Sequence, residues 1–267
     1  MTRIKEGTRV VITGAGSGIG QATALRCAKA GAEVIAVDID PVSAAATAEE
    51  CAHAGPEAHP YVCDVADSAA VIDLAATVQT THGPVDLLVN NAGVGVGGPF
   101  LDNSLEDWEW LRGINLDGVV YGCHAFGPAM VERGSGHVVN IASGAAYIPN
   151  RNMAAYCASK AAVVSFSQCL RADWSGSGVG VSAICPGLIR TPIHRSSRMV
   201  GSMAGRHDLA ERLFRFGHSP DLVARAIVRA AQKNQEIVPV GFESELAYRV
   251  LRFAPGPIQG LVTRAGI

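Results

Sequence analysis

Residues 10–20 read VVITGAGSGIG, and this stretch decides the fold. The apolar run over 10–13 predicts a buried strand, and the pattern that opens at Gly18 and stops at Gly31 predicts the helix that follows. Glycines between strand and helix allow a tight turn whose free N–H groups, with the positive end of the helix, can hold a diphosphate. The strand-before, helix-after order favours this interpretation over a glycine-rich loop without a ligand.

The alternation of strand and helix continues along the chain. Apolar runs predict further strands at 33–37, 61–62, 86–90, 137–141, 179–184 and 236–240. Helical patterns cover about 41–54, 68–81, 104–132, 154–174 and 221–232. Short apolar strands that alternate with helices are typical of a parallel sheet covered on both faces. We therefore expect a single-domain α/β fold, a doubly wound parallel sheet of about seven strands with helices on both faces.

The composition excludes several classes of protein. The net charge of −2 gives no basic surface for nucleic acid. The seven cysteines are scattered and form no C-x-x-C pair, so we expect reduced, mostly buried thiols and a cytoplasmic location. The first residues do not resemble a signal peptide, and the apolar runs are too short to span a membrane. His194, His207 and His218 lack metal-ligand spacing, and no metal site is predicted.

Asp38 ends the second predicted strand. In a dinucleotide-binding turn such a carboxylate accepts hydrogen bonds from the adenosine ribose and repels a 2′-phosphate. Residues 15–17 and 39–40 contain no Arg or Lys to neutralise that phosphate, which favours NAD over NADP. The alternative is that Asp38 only caps the next helix, but Asp40 is better placed for that role.

Six motifs in register from about residue 8 to 240 resemble those of the short-chain dehydrogenase/reductase family. They are T-G-x-x-x-G-x-G at 13–20, N-N-A-G at 90–93, Asn115, Ser143, Y-x-x-x-K at 156–160, and Pro186-Gly187 with Thr191 shortly after. The resemblance implies a Rossmann-like NAD(P)-binding domain over residues 1–267. It also implies an oxidoreductase that moves a hydride between NAD and a CH–OH or carbonyl carbon.

The same resemblance assigns expected roles. Asn115, Ser143, Tyr156 and Lys160 would be catalytic, Asp64 and Val65 would contact adenine, and Asn91 would support the adenosine side of the cofactor. Ile189 and Thr191 would hold the nicotinamide carboxamide. The candidate cofactor-binding residues are Gly14, Ser17, Gly18, Ile19, Gly20, Asp38, Ile39, Asp64, Val65, Asn91, Ala92, Gly93, Tyr156, Lys160, Pro186, Gly187, Ile189 and Thr191.

The chemistry of these side chains supports the catalytic expectation. Tyr156 and Lys160 are four residues apart on a predicted helix and share a face. A nearby ammonium and an oxidised nicotinamide should lower the pKa of the phenol, so that Tyr156 exchanges a proton with the substrate oxygen. Ser143 can donate to that oxygen, and the resemblance implies that Asn115 holds a water in a proton relay to Lys160.

Loops at the carboxyl ends of the strands should set substrate specificity. Residues 186–219 have no clear period and are interpreted as a substrate lid. Arg151, His194, Arg195 and Arg198 could also reach the catalytic centre. The candidate pocket residues are Val94, Val96, Ala145, Ile148, Met153, Leu188, Ile193, Met199, Met203 and Phe214. Their apolar character predicts a bulky, hydrophobic secondary alcohol or ketone.

Residues 241–267 extend past the last predicted strand. Residues 243–253 have the pattern of an amphipathic helix, which Pro255 should stop. Three roles are open for this extension: a subunit interface, a cover over the substrate mouth, or peripheral contact with a membrane surface. The resemblance implies a homodimer or homotetramer built on the helices at 104–132 and 154–174.

Two other functions use the same fold. A dehydratase or epimerase would retain the cofactor, but those relatives usually carry a larger substrate domain. A non-catalytic NAD-binding sensor or scaffold predicts the loss of Ser143, Tyr156 or Lys160, and all three are present.

Overall fold

The protein is described from a computed structural model that covers residues 2–205, 212, 214–250 and 253–265, with side chains to residue 260 in the last range. His207 and the rest of 206–211 and 213, within the expected lid, lie outside the described residues. Residues 251–252 and 266–267 of the C-terminal extension do so as well. Among described residues, no helix combines the length and the apolar character needed to cross a bilayer.

Strands and helices alternate as the sequence predicts. The strands are β1 Arg9–Thr13, β2 Glu33–Asp38, β3 Ala58–Val62, β4 Leu87–Asn90, β5 Val96–Gly97, β6 Gly136–Ile141, β7 Val179–Pro186, β8 Arg198–Met199 and β9 Ile237–Val240. The α-helices are α1 Gly18–Lys29, α2 Pro41–Ala54, α3 Ser68–His82, α4 Leu105–Arg112, α5 Gly118–Arg133, α6 Ala154–Asp173, α7 Pro220–Lys233, α8 Phe242–Arg249 and α9 Gly256–Ala265.

Seven of these strands form one parallel sheet in the order β3-β2-β1-β4-β6-β7-β9. The expected fold class, a doubly wound Rossmann-like α/β domain, is confirmed. The chain turns back between β1 and β4, where loops from adjacent strands diverge and leave a crevice at the carboxyl ends.

Alternation along the strands builds a core on each face of the sheet. Val10 and Ile12 pack on one side with buried residues of α1, α2 and α7. Val11 packs on the other side with residues of α3, α5 and α6, among them Phe126. Because both faces are covered, the inner strands β1, β2 and β4 are almost wholly apolar between their ends.

The region predicted as one helix over 104–132 is interrupted. A π-helical turn, Gly113–Asp117, separates α4 from α5 and carries Asn115. The backbone stays helical through this turn, so a helical pattern in the sequence did not distinguish it from a continuous α-helix. The pairing of β5 with β8 was also not predicted, because it joins two loops far apart in the chain.

The C-terminal extension differs from its prediction as well. The helix expected over 243–253 spans Phe242–Arg249, and a second helix, α9, follows it. Pro255 precedes α9 and Pro257 lies in its first turn. Proline is tolerated in the first turn because the N–H groups there have no partner within the helix. The prolines thus separate two helices, whereas the sequence analysis predicted only that they end the first one.

A buried histidine links β6 and β7. His137 is fully buried, and its Nε2 lies 2.8 Å from the Ser182 hydroxyl. Burial, reinforced by the charge of Arg171, lowers the pKa of His137 to about 3. The folded protein therefore holds this imidazole neutral, whereas the unfolded chain takes up a proton below its ordinary pKa.

We expect this histidine to contribute to acid unfolding. As pH falls from 6.5 towards 3, protonation of the unfolded chain should reduce the free energy of unfolding by up to ~1.4 kcal/mol per pH unit. In denaturant titrations over that range, His137→Gln should lose free energy of unfolding less steeply than the wild type. His124→Gln, at an exposed position, should follow the wild type. Equal slopes for His137→Gln and the wild type would contradict the assignment.

Candidate active site

A cavity of about 1070 Å³ lies at the carboxyl ends of the strands. The predicted cofactor and pocket residues line it, with Gly20 as the exception. Of the four candidate catalytic residues, Ser143, Tyr156 and Lys160 line the cavity, whereas Asn115 is fully buried behind it.

The glycine-rich turn has the backbone that its sequence requires. Gly14 and Gly18 have φ values of 61° and 56°, which side chains other than glycine rarely adopt. A Cβ on Gly20 would collide with the carbonyl oxygen of Gly14. Gly20 is thus needed for the close packing of the turn on α1 and is not part of the cavity wall.

The loop after β4 holds this turn in place. Asn91 donates from Nδ2 to the carbonyl oxygens of Thr13 (2.9 Å) and Gly14 (3.0 Å). The Thr13 hydroxyl in turn accepts from the backbone N–H groups of Asn91 (3.0 Å) and Ala92 (3.1 Å). The side chain of Asn91 therefore supports the glycine turn. The family resemblance predicted that Asn91 supports the adenosine side of the cofactor.

Asp38 lies against the same turn from the end of β2. Its Oδ2 accepts from the Gly16 N–H at 2.8 Å, and its Oδ1 accepts from the Asp40 N–H at 3.1 Å. The cap of α2 is Asp40, which accepts from Val42 and Ser43. Asp38 is thus a fixed carboxylate facing the cavity and not the helix cap.

Lys160 carries a buried ammonium. The residue is 4% exposed, and its Nζ donates to the carbonyl oxygen of Ile141 at 3.0 Å. Burial lowers the pKa of Lys160 to about 8. A Cβ on Gly93 would lie 3.4 Å from Nζ, so the absence of a side chain there keeps the approach to the ammonium open.

The pKa of the Tyr156 phenol differs from the sequence prediction. Burial raises the pKa of Tyr156, and the hydrogen bond with the Ser143 side chain lowers it only in part. Lys160 Nζ lies 5.9 Å from the centre of the tyrosine ring, and burial itself disfavours the charge on that ammonium. Tyr156 is therefore a protonated phenol, and the lowering of its pKa that the sequence predicted from the nearby ammonium is not found.

Asn115 anchors the loop after β4 from the π-helical turn. Its Nδ2 donates to the carbonyl oxygen of Val94 at 2.9 Å, and its Oδ1 accepts from the Val94 N–H at 2.8 Å. Both ends of the amide are thus bonded to the backbone of one residue. The expected role of Asn115 in holding a water for Lys160 stays a prediction.

The lid is fastened to α4 and to the loop after β4. Gly95 donates its N–H to the Ser197 hydroxyl at 3.1 Å. Arg198 pairs with Asp107 at 3.0 Å and lies 4.2 Å above the ring of Trp110. This charged side chain therefore points away from the cavity. Of the other three charged or titratable candidates, Arg151 and His194 line the cavity and Arg195 does not.

The start of the C-terminal extension forms a wall that the pocket prediction missed. Phe242, Glu243 and Ser244 line the cavity. Glu243 accepts from the Leu188 N–H at 2.6 Å and lies 3.1 Å from Nε2 of His218. The amphipathic pattern of this segment indicated a buried face but not its partner, because its contacts are with residues more than 20 positions away.

The chain matches the short chain dehydrogenase family over residues 8–200. The probable oxidoreductase EphD of Mycobacterium tuberculosis is 45% identical over 93% of this chain. Only 43% of that relative is covered, so the chain spans less than half its length. D-threitol dehydrogenase of Mycolicibacterium smegmatis is 37% identical, with 85% of this chain and 86% of the relative aligned.

A solved structure agrees with these matches. The crystal structure of a short chain dehydrogenase/reductase from Burkholderia phymatum in complex with NAD has a TM-score of 0.85 and 32% identity, and 92% of each chain is covered. Together with the parallel sheet, these matches establish that the chain belongs to the short-chain dehydrogenase/reductase family of oxidoreductases.

Proposed function

We propose that the protein transfers a hydride between NAD and a bulky, apolar secondary alcohol or ketone. The observation that carries this proposal is the convergence of Ser143, Tyr156 and the buried Lys160 on a cavity that also contains the glycine turn. Proton exchange, stabilisation of an oxyanion and dinucleotide binding each need one of these elements.

The cavity has groups that fit a nicotinamide dinucleotide. N–H groups of the turn at 14–19 would face the diphosphate, Asp38 the adenosine ribose, and Thr191 the nicotinamide carboxamide. The dinucleotide supplies the hydride chemistry, and the protein fixes its position. The carboxylate of Asp38 supports NAD over NADP, because a 2′-phosphate beside it would meet a negative charge.

The proton has a defined route. In reduction the Tyr156 phenol donates its proton to the carbonyl oxygen, and in oxidation the phenolate takes the alcohol proton. The pKa of Tyr156, which burial raises, suits the first direction, and positive charge close to the ring favours the second. Ser143 donates a hydrogen bond to the same oxygen as negative charge develops on it.

The substrate end of the cavity supports an apolar substrate. The ten predicted pocket residues, which are aliphatic, methionine or phenylalanine, line it. Several polar side chains there are already paired: Ser197 with Gly95 and Ile193, and Glu243 with Leu188 and His218. Such pairing leaves mainly apolar groups to contact a substrate.

The first test is turnover, followed by the absorbance of reduced nicotinamide. Hydrophobic secondary alcohols and ketones should react faster with NAD than with NADP, and faster than D-threitol. Tyr156→Phe should reduce kcat at least about 10²-fold, because it removes the transferred proton, while cofactor binding is retained. Tyr121→Phe, outside the cavity lining, is the matched control. Full activity of Tyr156→Phe would exclude the proposed proton donor.

The burial of Lys160 predicts a pH-dependent stability. Its folded pKa of about 8 lies below the ordinary 10.5, so between these values the unfolded chain binds more protons than the folded one. The free energy of unfolding should therefore gain on the order of 3 kcal/mol from this residue as pH rises through that window. Lys160→Met should lack the gain, and the exposed Lys233→Met should keep it. A wild-type-like slope in Lys160→Met would refute the assignment.

Asp38→Asn tests the preference for NAD. The amide removes the negative charge and keeps one oxygen for the turn, so kcat/KM with NADP relative to NAD should rise about 10-fold, equivalent to ~1.4 kcal/mol. Asp73→Asn, on the exposed face of α3, should leave the ratio unchanged. An unaltered ratio in Asp38→Asn would remove the ribose argument.

A further inference from the structure

A group of histidine and carboxylate side chains lies at the amino end of the sheet, opposite the cavity. Glu33 is the first residue of β2, His59 lies near the start of β3, and His82 ends α3. One potential ligand atom from each of the three side chains lies within 4.8 Å of the other two. Asp38, at the other end of β2, faces the cavity, so the two regions are separated by the length of a strand.

We propose that Glu33, His59 and His82 form a binding site for a divalent cation of the Zn²⁺ type. Imidazole nitrogen and carboxylate oxygen are the ligands that Zn²⁺ takes in sites of this kind. The cation would join β2, the edge strand β3 and α3 at a place remote from hydride transfer.

Two distances between donor atoms, both measured from His59, fit this cation. Tetrahedral ligands at the usual Zn–N and Zn–O lengths stand ~3.4 Å apart. Nε2 of His59 lies 3.4 Å from Oε1 of Glu33 and 3.5 Å from Oε2 of Glu57. That nitrogen is buried and makes no hydrogen bond within the described residues. A ring nitrogen thus faces two carboxylates at a separation suited to a shared cation.

Neighbouring groups would hold the ligands in place. Nδ1 of His82 lies 2.8 Å from Oε1 of Glu33, a hydrogen-bond contact that a bound cation would replace, and the opposite ring nitrogen, Nε2, lies 2.9 Å from the Tyr61 hydroxyl. In the tautomer that presents Nδ1 to a cation, Nε2–H donates to Tyr61, which is the support that metal-bound histidines usually have. Arg9 bonds Oε2 of Glu33 through Nε at 2.9 Å and leaves Oε1 to the cation.

Charge at this site also suits a divalent cation. Glu33 and the more exposed Glu57 supply two negative charges, against the single positive charge of Arg9. His59 is 33% exposed and His82 is 9% exposed, so the site is reachable from solvent while its ligands are constrained.

Titration calorimetry of the full chain with ZnSO₄ tests the proposal, using untagged protein freed of metal with EDTA. We expect one strong site, and tetrahedral visible absorption when Co²⁺ replaces Zn²⁺. His59→Gln and His82→Gln should each weaken binding at least about 100-fold. Tyr61→Phe, which removes only the supporting hydroxyl, should weaken it about 10- to 100-fold.

Two controls separate this site from other ligands. His53→Gln, at an exposed position on α2, and Cys169→Ser, which removes an exposed thiol, should bind like the wild type. Circular dichroism of each metal-free variant checks that it is folded. If His82→Gln does not fold, His59→Gln alone tests the site. No binding by the wild type, or binding that is insensitive to His59→Gln but lost in Cys169→Ser, would overturn the proposal.

Discussion

The hydrogen bond from Lys160 to the carbonyl oxygen of Ile141 fixes the position of the one ammonium buried at the cavity among the described residues. A charge in this position is costly unless its remaining N–H groups find acceptors. Gly93 leaves space beside Nζ for a polar ligand to enter. Burial lowers the pKa of Lys160 and leaves its remaining N–H groups in need of hydrogen-bond acceptors. The nicotinamide ribose hydroxyls of the proposed cofactor would supply them.

The glycine turn, which lines the same cavity, is held in place by residues outside the turn. Thr13 and Asn91 exchange hydrogen bonds between the ends of β1 and β4, so the phosphate-binding turn and the loop beside Lys160 behave as one unit. Asn115 fixes the far side of that loop through Val94. These residues therefore preserve the distance between the proposed diphosphate and proton-transfer sites.

The sequence predicted those parts of the structure that local rules determine. Apolar runs and glycine positions located β1, α1 and the turn between them, and the family motifs located Ser143, Tyr156 and Lys160 at the cavity. Features set by distant contacts were missed. The pairing of β5 with β8 and the entry of Glu243 into the cavity wall depend on residues far apart in the chain. The raised pKa of Tyr156 depends on burial, which spacing along a helix does not report.

The two ends of the sheet carry different chemistry for a common reason. Three of the five inner strands have a charged residue at their start, Arg9 in β1, Glu33 in β2 and Asp86 just before β4, and become apolar within one position. Charged groups therefore collect at the amino end, where Arg9 joins Glu33 and Asp86 by hydrogen bonds. At the carboxyl end, loops enclose the cavity and remove water from Tyr156 and Lys160. A cation at the amino end would thus act on the stability of β2 and β3, because the length of β2 separates it from the cavity.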